Sequence, residues 1–108
     1  MKKVSVIASM VVLVVLTAAA QKKPQIAESF IAAWNSHDVE KVIPVFTNDV
    51  LYEDVTFGTV NHGSAELRKF AASIFGAVPD AKFDLLSTTV HGGHGTIEWV
   101  FTGTDKGL

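Results

Sequence analysis

The spacing of apolar residues changes along the chain, and this change limits the folds that are open to it. Ile26, Phe30 and Trp34 recur at helical intervals, which places them on one side of an α-helix. From residue 81 onward apolar and polar residues alternate, as they do in "TIEWVFTG", and this period of two is typical of a half-buried β-strand. Because the predicted helices come mainly in the first part of the chain and the antiparallel strands in the last part, we expect an α+β fold rather than a parallel α/β sheet.

Two helices are predicted before residue 50. The first begins near Pro24 and ends in the turn-forming run "NSHD", residues 35–38, because Pro suits a first helical turn and Asn, Ser and Asp favour turns. Asp38 is a suitable N-cap for a second, shorter helix. Pro44 lies inside the apolar pattern of that helix and should kink or split it.

The rest of the chain predicts one further helix and three strands. Ser64 can cap the third helix, and Gly76 suits the position just after its end. Strands are predicted over residues 50–57, 81–91 and 96–104, with a loop at 58–63 and a Gly-rich hairpin turn at "HGGHG", residues 91–95. The last two strands would leave an apolar edge unpaired, which is a liability. We therefore expect strands beyond Leu108 to complete the sheet.

The N-terminus has the pattern of a secretory signal peptide. Lys2 and Lys3 precede the apolar run 4–16, and Ala18 and Ala20 give a small-x-small cleavage pattern ahead of residue 21. The alternative is a single membrane anchor, but the apolar run is shorter than the roughly 20 residues that span a bilayer. We expect an exported protein whose domain comprises residues 21–108 and lies outside the membrane once residues 1–20 are removed.

Charge and cysteine content exclude several classes of function. After residue 20 seven basic and eleven acidic residues remain, a formal charge of −4. Nucleic acids and anionic membranes both need clustered Lys and Arg, so neither is expected as a partner. The chain contains no Cys, so disulfides cannot stabilise the domain and an apolar core must do so.

Two adjacent carboxylates, Glu53 and Asp54, interrupt the predicted strand "VLYEDVTF". Acidic residues are depleted in strands. The period of two places Tyr52 and Asp54 on one face and Glu53 on the other. One of the two acids therefore faces inward, or both face water.

Four segments in order resemble the SnoaL-like proteins of the NTF2-like superfamily. They are "FIAAWNSHDVEKVIPVFTNDVLYEDVTFG", "HGSAELRKF", "AVPDAKFDLL" and "TIEWVFTGTDKG", and the resemblance covers roughly residues 25–107. It implies an NTF2-like cone, in which three helices pack on a curved antiparallel sheet around a deep apolar pocket. The family includes polyketide cyclases, ketosteroid isomerases and epoxide hydrolases. Its domains have about 120 to 150 residues, within usual domain sizes, which supports missing C-terminal strands here.

The resemblance assigns Asp54 to the position of the general base in ketosteroid isomerases. An apolar pocket makes a carboxylate a stronger base because desolvation disfavours its charged form. The alternative is a strand-end Asp bonded to nearby backbone N–H groups. The isomerases also use a tyrosine as oxyanion donor, at the position that Phe30 occupies here, and Phe cannot donate. Tyr52 is the one Tyr in the chain. Asp105 replaces the cyclases' His, and is best interpreted as a turn residue.

Further candidates for the pocket are aromatic or ionisable. Trp34 and Trp99 are core residues that could also line a ligand cavity. His62 lies in the loop expected at the pocket mouth. Glu98 is either a second buried acid beside Asp54 or a solvated residue on the outer face of the sheet.

Other chemistries have little support in the sequence. His91 and His94 alone are a poor metal site, and no cofactor motif, nucleophile elbow or phosphate loop is present. We expect no metal and no cofactor.

Two functional hypotheses follow. In the first, the pocket binds a small hydrophobic molecule, with Asp54 able to carry out isomerase-like or cyclase-like acid/base chemistry on it. In the second, the domain is a non-catalytic binding or dimerisation module. The resemblance implies homodimerisation through the outer face of the sheet.

Overall fold

The computed structural model describes residues 26–107. The expected signal peptide, residues 1–20, and the expected helix start at Pro24 lie outside the described residues. The elements, in chain order, are α1 (Ile26–Asn35), α2 (Val39–Val42), a 3₁₀ turn (Ile43–Val45), β1 (Leu51–Asp54), β2 (Thr59–His62), α3 (Gly63–Ala77), β3 (Lys82–His91) and β4 (His94–Thr102). Among residues 26–107, no helix combines the length and apolar character needed to cross a bilayer.

These elements confirm the predicted α+β class with three helices and antiparallel strands. β1 pairs with β2, and β3 pairs with β4. The described strands form two separate two-stranded sheets, where the family resemblance implied one curved sheet. α1 ends at Asn35 as predicted. Asp38 accepts the N–H of Glu40 at 3.0 Å as the N-cap of α2, and α2 gives way to the 3₁₀ turn that contains Pro44.

The predicted strand 50–57 and loop 58–63 are wrong in part, because this segment is a β-hairpin. β1 ends at Asp54, whose Oδ1 accepts the N–H of Phe57 at 3.0 Å. Gly58 then adopts φ 65°, a left-handed conformation that costs glycine little. These two features reverse the chain, so that Glu53 faces Val60 in the register of β1 and β2.

The ends of α3 also differ from the prediction. Ser64 lies within the helix and does not cap it. Instead, Gly63 donates its N–H to the carbonyl of Val50 at 2.7 Å, and Ser64 donates to the carbonyl of Asn48. These main-chain carbonyls satisfy amides that a side-chain cap would otherwise bind. At the other end, Gly76 is helical and the chain leaves the helix only at Val78.

The core lies where α1 and α3 meet the hairpin of β3 and β4. Its most buried side chains include Trp34, Val42, Leu67, Ala71, Ile74 and Val78. Phe83 faces Phe101 and Leu85 faces Trp99 across the hairpin, which confirms the predicted apolar faces. Leu86 is the extra residue of a bulge between Leu85 and Ser87. The turn comprises Gly92 and Gly93, so β4 begins at His94 and not at Thr96.

Asn35, the last residue of α1, attaches the helix to β3. Its Nδ2 donates to the carbonyl of Phe83 at 2.8 Å, and its Oδ1 accepts the N–H of Phe83 at 2.8 Å. The amide thus pairs with β3 as a neighbouring strand would. Two residues later His37 adopts φ 55°, stacks on Phe75 and lies with Nε2 2.6 Å from the carbonyl of Ala81. The ring donates through Nε2 because a carbonyl can only accept.

The segment after β4 is held against the loop that follows α3. Asp80 accepts hydrogen bonds from the N–H and the hydroxyl of Thr104 at 2.8 and 2.9 Å, and these bonds hold the pKa of Asp80 below its usual value. A Cβ on Gly103 would lie 2.3 Å from Cγ1 of Val78. Because Val78 is buried and β-branched, it cannot move aside easily. The close approach of these two segments therefore requires glycine at residue 103.

We expect Asn35→Ala to destabilise the domain by about 2–3 kcal/mol, because it removes two hydrogen bonds and leaves the N–H and carbonyl of Phe83 partly buried without partners. Urea unfolding followed by circular dichroism measures the change. Asn48→Ala is the matched control, since the Asn48 side chain makes no hydrogen bond to another described residue, and it should change stability by less than about 0.5 kcal/mol. Equal effects of the two substitutions would contradict the anchoring role of Asn35.

Candidate functional site

A cavity of about 160 Å³ lies between α1, β1, α3 and the β3–β4 hairpin. Aromatic side chains form most of its wall. The lining residues are Phe30, Trp34, Tyr52, Asp54, Thr56, Phe57, Phe70, Ile74, Phe83, Trp99 and Phe101. The cavity is thus apolar over most of its surface, with polar groups supplied by the β1 hairpin.

β1 directs Tyr52 and Asp54 into this cavity. Both residues line it, whereas Glu53 between them is exposed and does not. This is the alternation expected of a strand. It also explains the adjacent acids in the sequence, since one faces the cavity and the other faces solvent.

Asp54 is the one ionisable acid or base among the lining residues other than the phenol of Tyr52. Its side chain is half-buried. Oδ1 accepts the N–H of Phe57, so Asp54 closes the turn after β1. This matches the alternative prediction of a strand-end Asp bonded to nearby backbone N–H groups. Oδ2 accepts no hydrogen bond from another described residue. Asp54 therefore combines a role in the turn with a free carboxylate oxygen at the cavity.

Tyr52 is held in its neutral form. Burial, and secondarily the negative charge of Asp54, raise the pKa of the Tyr52 phenol to about 12. Both causes disfavour the phenolate. The hydroxyl makes no hydrogen bond to another described residue. It is therefore a neutral donor beside a carboxylate, on the same face of one strand.

Trp34 lies at the back of the cavity and is only 2% exposed. Its ring centroid is 5.7–6.4 Å from those of five aromatic neighbours, which are Phe30, Tyr52, Phe70, Phe75 and Phe83. Its indole N–H is buried without a hydrogen-bond acceptor in the described chain. Such a group is costly in a core, which sets Trp34 apart from an ordinary packing residue.

Phe30 and Trp99 form the opposite wall, with ring centroids 5.8 Å apart. Phe30 occupies the place assigned by resemblance to an oxyanion-donating tyrosine, and it offers no hydroxyl. Trp99 is 39% exposed, so its ring is shared between the cavity and solvent.

Two predicted site residues do not line the cavity. Glu98 lies on the opposite face of β4 from Trp99, where it is exposed and accepts a hydrogen bond from the Ser87 hydroxyl at 3.1 Å. It is therefore a solvated sheet residue, the second of the two alternatives. His62 is exposed and precedes α3. The alternation along β4 and β2 directs both side chains away from the cavity.

The remaining polar candidates lie elsewhere. Asp105 accepts the N–H of Gly107 at 2.9 Å, a local contact of the kind expected for a turn residue. His91 and His94 face each other across the hairpin turn, remote from the cavity wall. Within residues 26–107, no group of three or more His, Cys, Asp and Glu side chains is placed to hold a metal ion.

Sequence reasoning missed Thr56 and Phe57 as lining residues, because it extended β1 through them as a strand. Their turn brings both to the cavity. The alternation along β4 predicts a core face that Phe101 shares with Trp99. Only the tertiary structure shows that this face of β4 borders the cavity, which both residues line.

The model of the SnoaL-like domain family matches residues 27–108. A search of curated proteins finds no match.

Several solved structures share the fold. A protein of ketosteroid isomerase-like fold from Catenulispora acidiphila, in complex with trimethylamine, matches with a TM-score of 0.73 and 24% identity over 80% of this chain and 66% of that one. A cystatin-fold protein from Novosphingobium aromaticivorans matches with a TM-score of 0.64 and 22% identity over 74% and 68%. A provisionally assigned polyketide cyclase from Sinorhizobium meliloti matches with a TM-score of 0.66 and 19% identity over 77% and 73%. The matched part thus spans about two thirds of each relative.

Tyr52 is the one tyrosine of the chain, so its ionisation can be followed directly by ultraviolet absorbance. We expect a midpoint near pH 12. Because the folded pKa lies above the unfolded value of about 10, this contribution to stability is complete below pH 10 and is lost as the pH rises towards 12.

Asp54→Asn should lower the midpoint only slightly, since burial is the larger cause of the shift. Asp84→Asn, an exposed acid paired with Lys82, should leave it unchanged. A midpoint near 10 in protein that circular dichroism shows to be folded would contradict the burial of Tyr52.

Proposed function

This chain belongs to the SnoaL-like domain family, and on that premise we propose that it binds a small, largely apolar molecule in the cavity beside Asp54. The observation that carries this proposal is the composition of the wall, in which aromatic rings surround one carboxylate and one neutral phenol. Ligand sites in proteins are typically apolar concavities with a few polar groups that orient the ligand.

The volume limits the size of the ligand. An apolar cavity of about 150 Å³ holds benzene, and this cavity has about 160 Å³. A compact molecule of about six to eight heavy atoms would therefore fill the cavity, whereas most of a steroid would remain outside. The relative from Catenulispora acidiphila is in complex with trimethylamine, which has four heavy atoms and is smaller still, and this supports small-molecule binding as the function.

Acid/base chemistry is a second candidate function, favoured by the placement of Tyr52 and Asp54. A carboxylate with one free oxygen could take a proton from a carbon next to a carbonyl, while a neutral phenol could donate to the developing oxyanion. Phe30 cannot supply that donor, so Tyr52 would have to do so. The alternative, a binding module without catalysis, uses the same cavity with Asp54 as an orienting group.

We propose further that residues 1–20 direct export, as their sequence pattern indicates. We also propose that the mature domain pairs with a second copy through the outer face of the β3–β4 hairpin. Leu86 and Val100 are exposed apolar residues of this hairpin. Both proposals concern the whole protein in its cellular setting, and neither affects the chemistry of the cavity.

Cyclohexanone, a compact ketone of seven heavy atoms, tests binding and chemistry together. We expect it to shift the two tryptophan indole signals in nuclear magnetic resonance spectra, with a dissociation constant on the order of 1 mM, typical of so small a ligand. Both tryptophans of the chain line the cavity. If neither indole signal moves with any compact apolar probe, the binding proposal is wrong.

Exchange of the α-hydrogens of cyclohexanone in deuterated water separates catalysis from binding. If Asp54 is a base, Asp54→Asn should abolish protein-dependent exchange while the ketone still binds. The Asp84→Asn variant should catalyse the exchange at the wild-type rate. If the wild-type protein binds cyclohexanone but does not exchange its α-hydrogens, the domain is a non-catalytic binding module.

Export and pairing are tested on protein recovered from the extracytoplasmic fraction. We expect an intact mass that begins at Gln21 and a solution mass of twice that value. Recovery of the uncleaved chain in the membrane fraction would instead indicate an anchor, and a monomeric mass would exclude the homodimer.

A further inference from the structure

We infer that the ligand of this cavity is a small organic cation, an ammonium group that carries three or four small alkyl substituents. This inference rests on the proposed function, that the cavity binds a small molecule, and it names the chemical class of that molecule. It is drawn from the charge and the aromatic composition of the cavity wall.

Eight of the eleven lining residues are aromatic. The face of an aromatic ring is electron-rich, and it attracts a cation placed within about 6 Å of the ring centroid. The rings here are tilted against one another rather than stacked, with Phe30 and Trp99 at 57° and Trp34 and Tyr52 at 36°. Rings from α1, α3, β1, β3 and β4 all border the cavity, so a ligand inside it has aromatic rings on several sides.

The only formally charged side chain in the wall is negative. Asp54 forms no ion pair with a described residue, and no Lys, Arg or His lines the cavity. A ligand that enters displaces water from this carboxylate. An anion would be repelled by it, and a neutral molecule would leave the charge poorly solvated. A cation compensates the charge through the free Oδ2 of Asp54.

Alkyl substitution on the nitrogen follows from how few hydrogen-bond acceptors the wall offers, since its side-chain acceptors are Asp54 and the hydroxyls of Tyr52 and Thr56. A primary ammonium has three N–H donors and would lose hydrogen bonds to water on entering a space lined mainly by rings. A tertiary or quaternary ammonium has one donor or none and presents an apolar surface that the rings can cover. Tetramethylammonium, with five heavy atoms, is comparable in size to the benzene that a cavity of about 150 Å³ can hold.

Choline and 3,3-dimethylbutan-1-ol give a direct test, because the two molecules differ only in a positively charged nitrogen that replaces a neutral carbon. Binding to the full chain is measured by titration calorimetry and by the shifts of the two indole signals. We expect choline to bind at least about tenfold more tightly than its neutral analogue. 3,3-Dimethylbutanoate, an anion of eight heavy atoms that carries the same tert-butyl group as the neutral analogue, should not bind.

Two variants test whether Asp54 causes the tighter binding of choline. Asp54→Asn should weaken choline binding at least about fivefold and change binding of 3,3-dimethylbutan-1-ol by less than about twofold. It retains an oxygen that can accept the Phe57 N–H, so the turn after β1 is preserved. Asp84→Asn, which removes an exposed charge outside the cavity, should bind both molecules as the wild-type protein does.

The outcomes separate this inference from the proposed function. If the neutral analogue binds as tightly as choline, the ligand class is wrong and the small-molecule function stands. If choline binds more tightly but Asp54→Asn has no effect, the cation is bound elsewhere and the inference is also wrong. If no compact probe binds, both fail together.

Discussion

Two hydrogen bonds between the Asn35 side chain and the main chain of Phe83 set the geometry on which the cavity depends. They attach the end of α1 to the start of β3, two elements that are 48 residues apart in the chain. A side-chain amide can satisfy both a backbone N–H and a carbonyl, so it replaces a missing strand neighbour without leaving buried polar groups unpaired. Trp34, the preceding residue, is thereby held among the aromatic rings of α3 and β3.

The wall of the cavity is built from the same aromatic side chains that surround Trp34. These rings meet at tilted angles, an arrangement that aromatic pairs favour over face-to-face stacking. Trp99 and Phe101 remain more than one third exposed. Apolar side chains in this state are unfavourable in water, and a ligand that covers them would recover part of that cost. The same residues that build the core therefore also build a binding surface.

The polar side chains of the cavity wall belong to β1 and the turn that follows it. The bond from the Phe57 N–H to Asp54 ends β1 and returns the chain as β2. It also orients the carboxylate at the cavity, close enough to Tyr52 to contribute to the raised pKa of its phenol. Departures from local preference, such as an acid in a strand and an unpaired indole N–H in the core, coincide at this one place. Such departures are expected at functional sites more than elsewhere.

The sequence by itself determined the α+β class, the three helices, the Asp38 cap, the break at Pro44, the inward face of β4 and the SnoaL-like resemblance. These features depend on the periodicity of apolar residues and on local capping and helix-breaking residues. Both can be recognised from residues that are close together in the sequence. The alternation of side-chain directions along the strand also predicted that Asp54 and Glu53 face opposite sides of it. Only the tertiary structure decided that residues 59–62 form a strand, that α3 needs no side-chain cap, and that Glu98 and His62 lie away from the cavity. Those outcomes depend on carbonyls, rings and strand pairings that are distant in sequence, and no local pattern records which distant groups will meet.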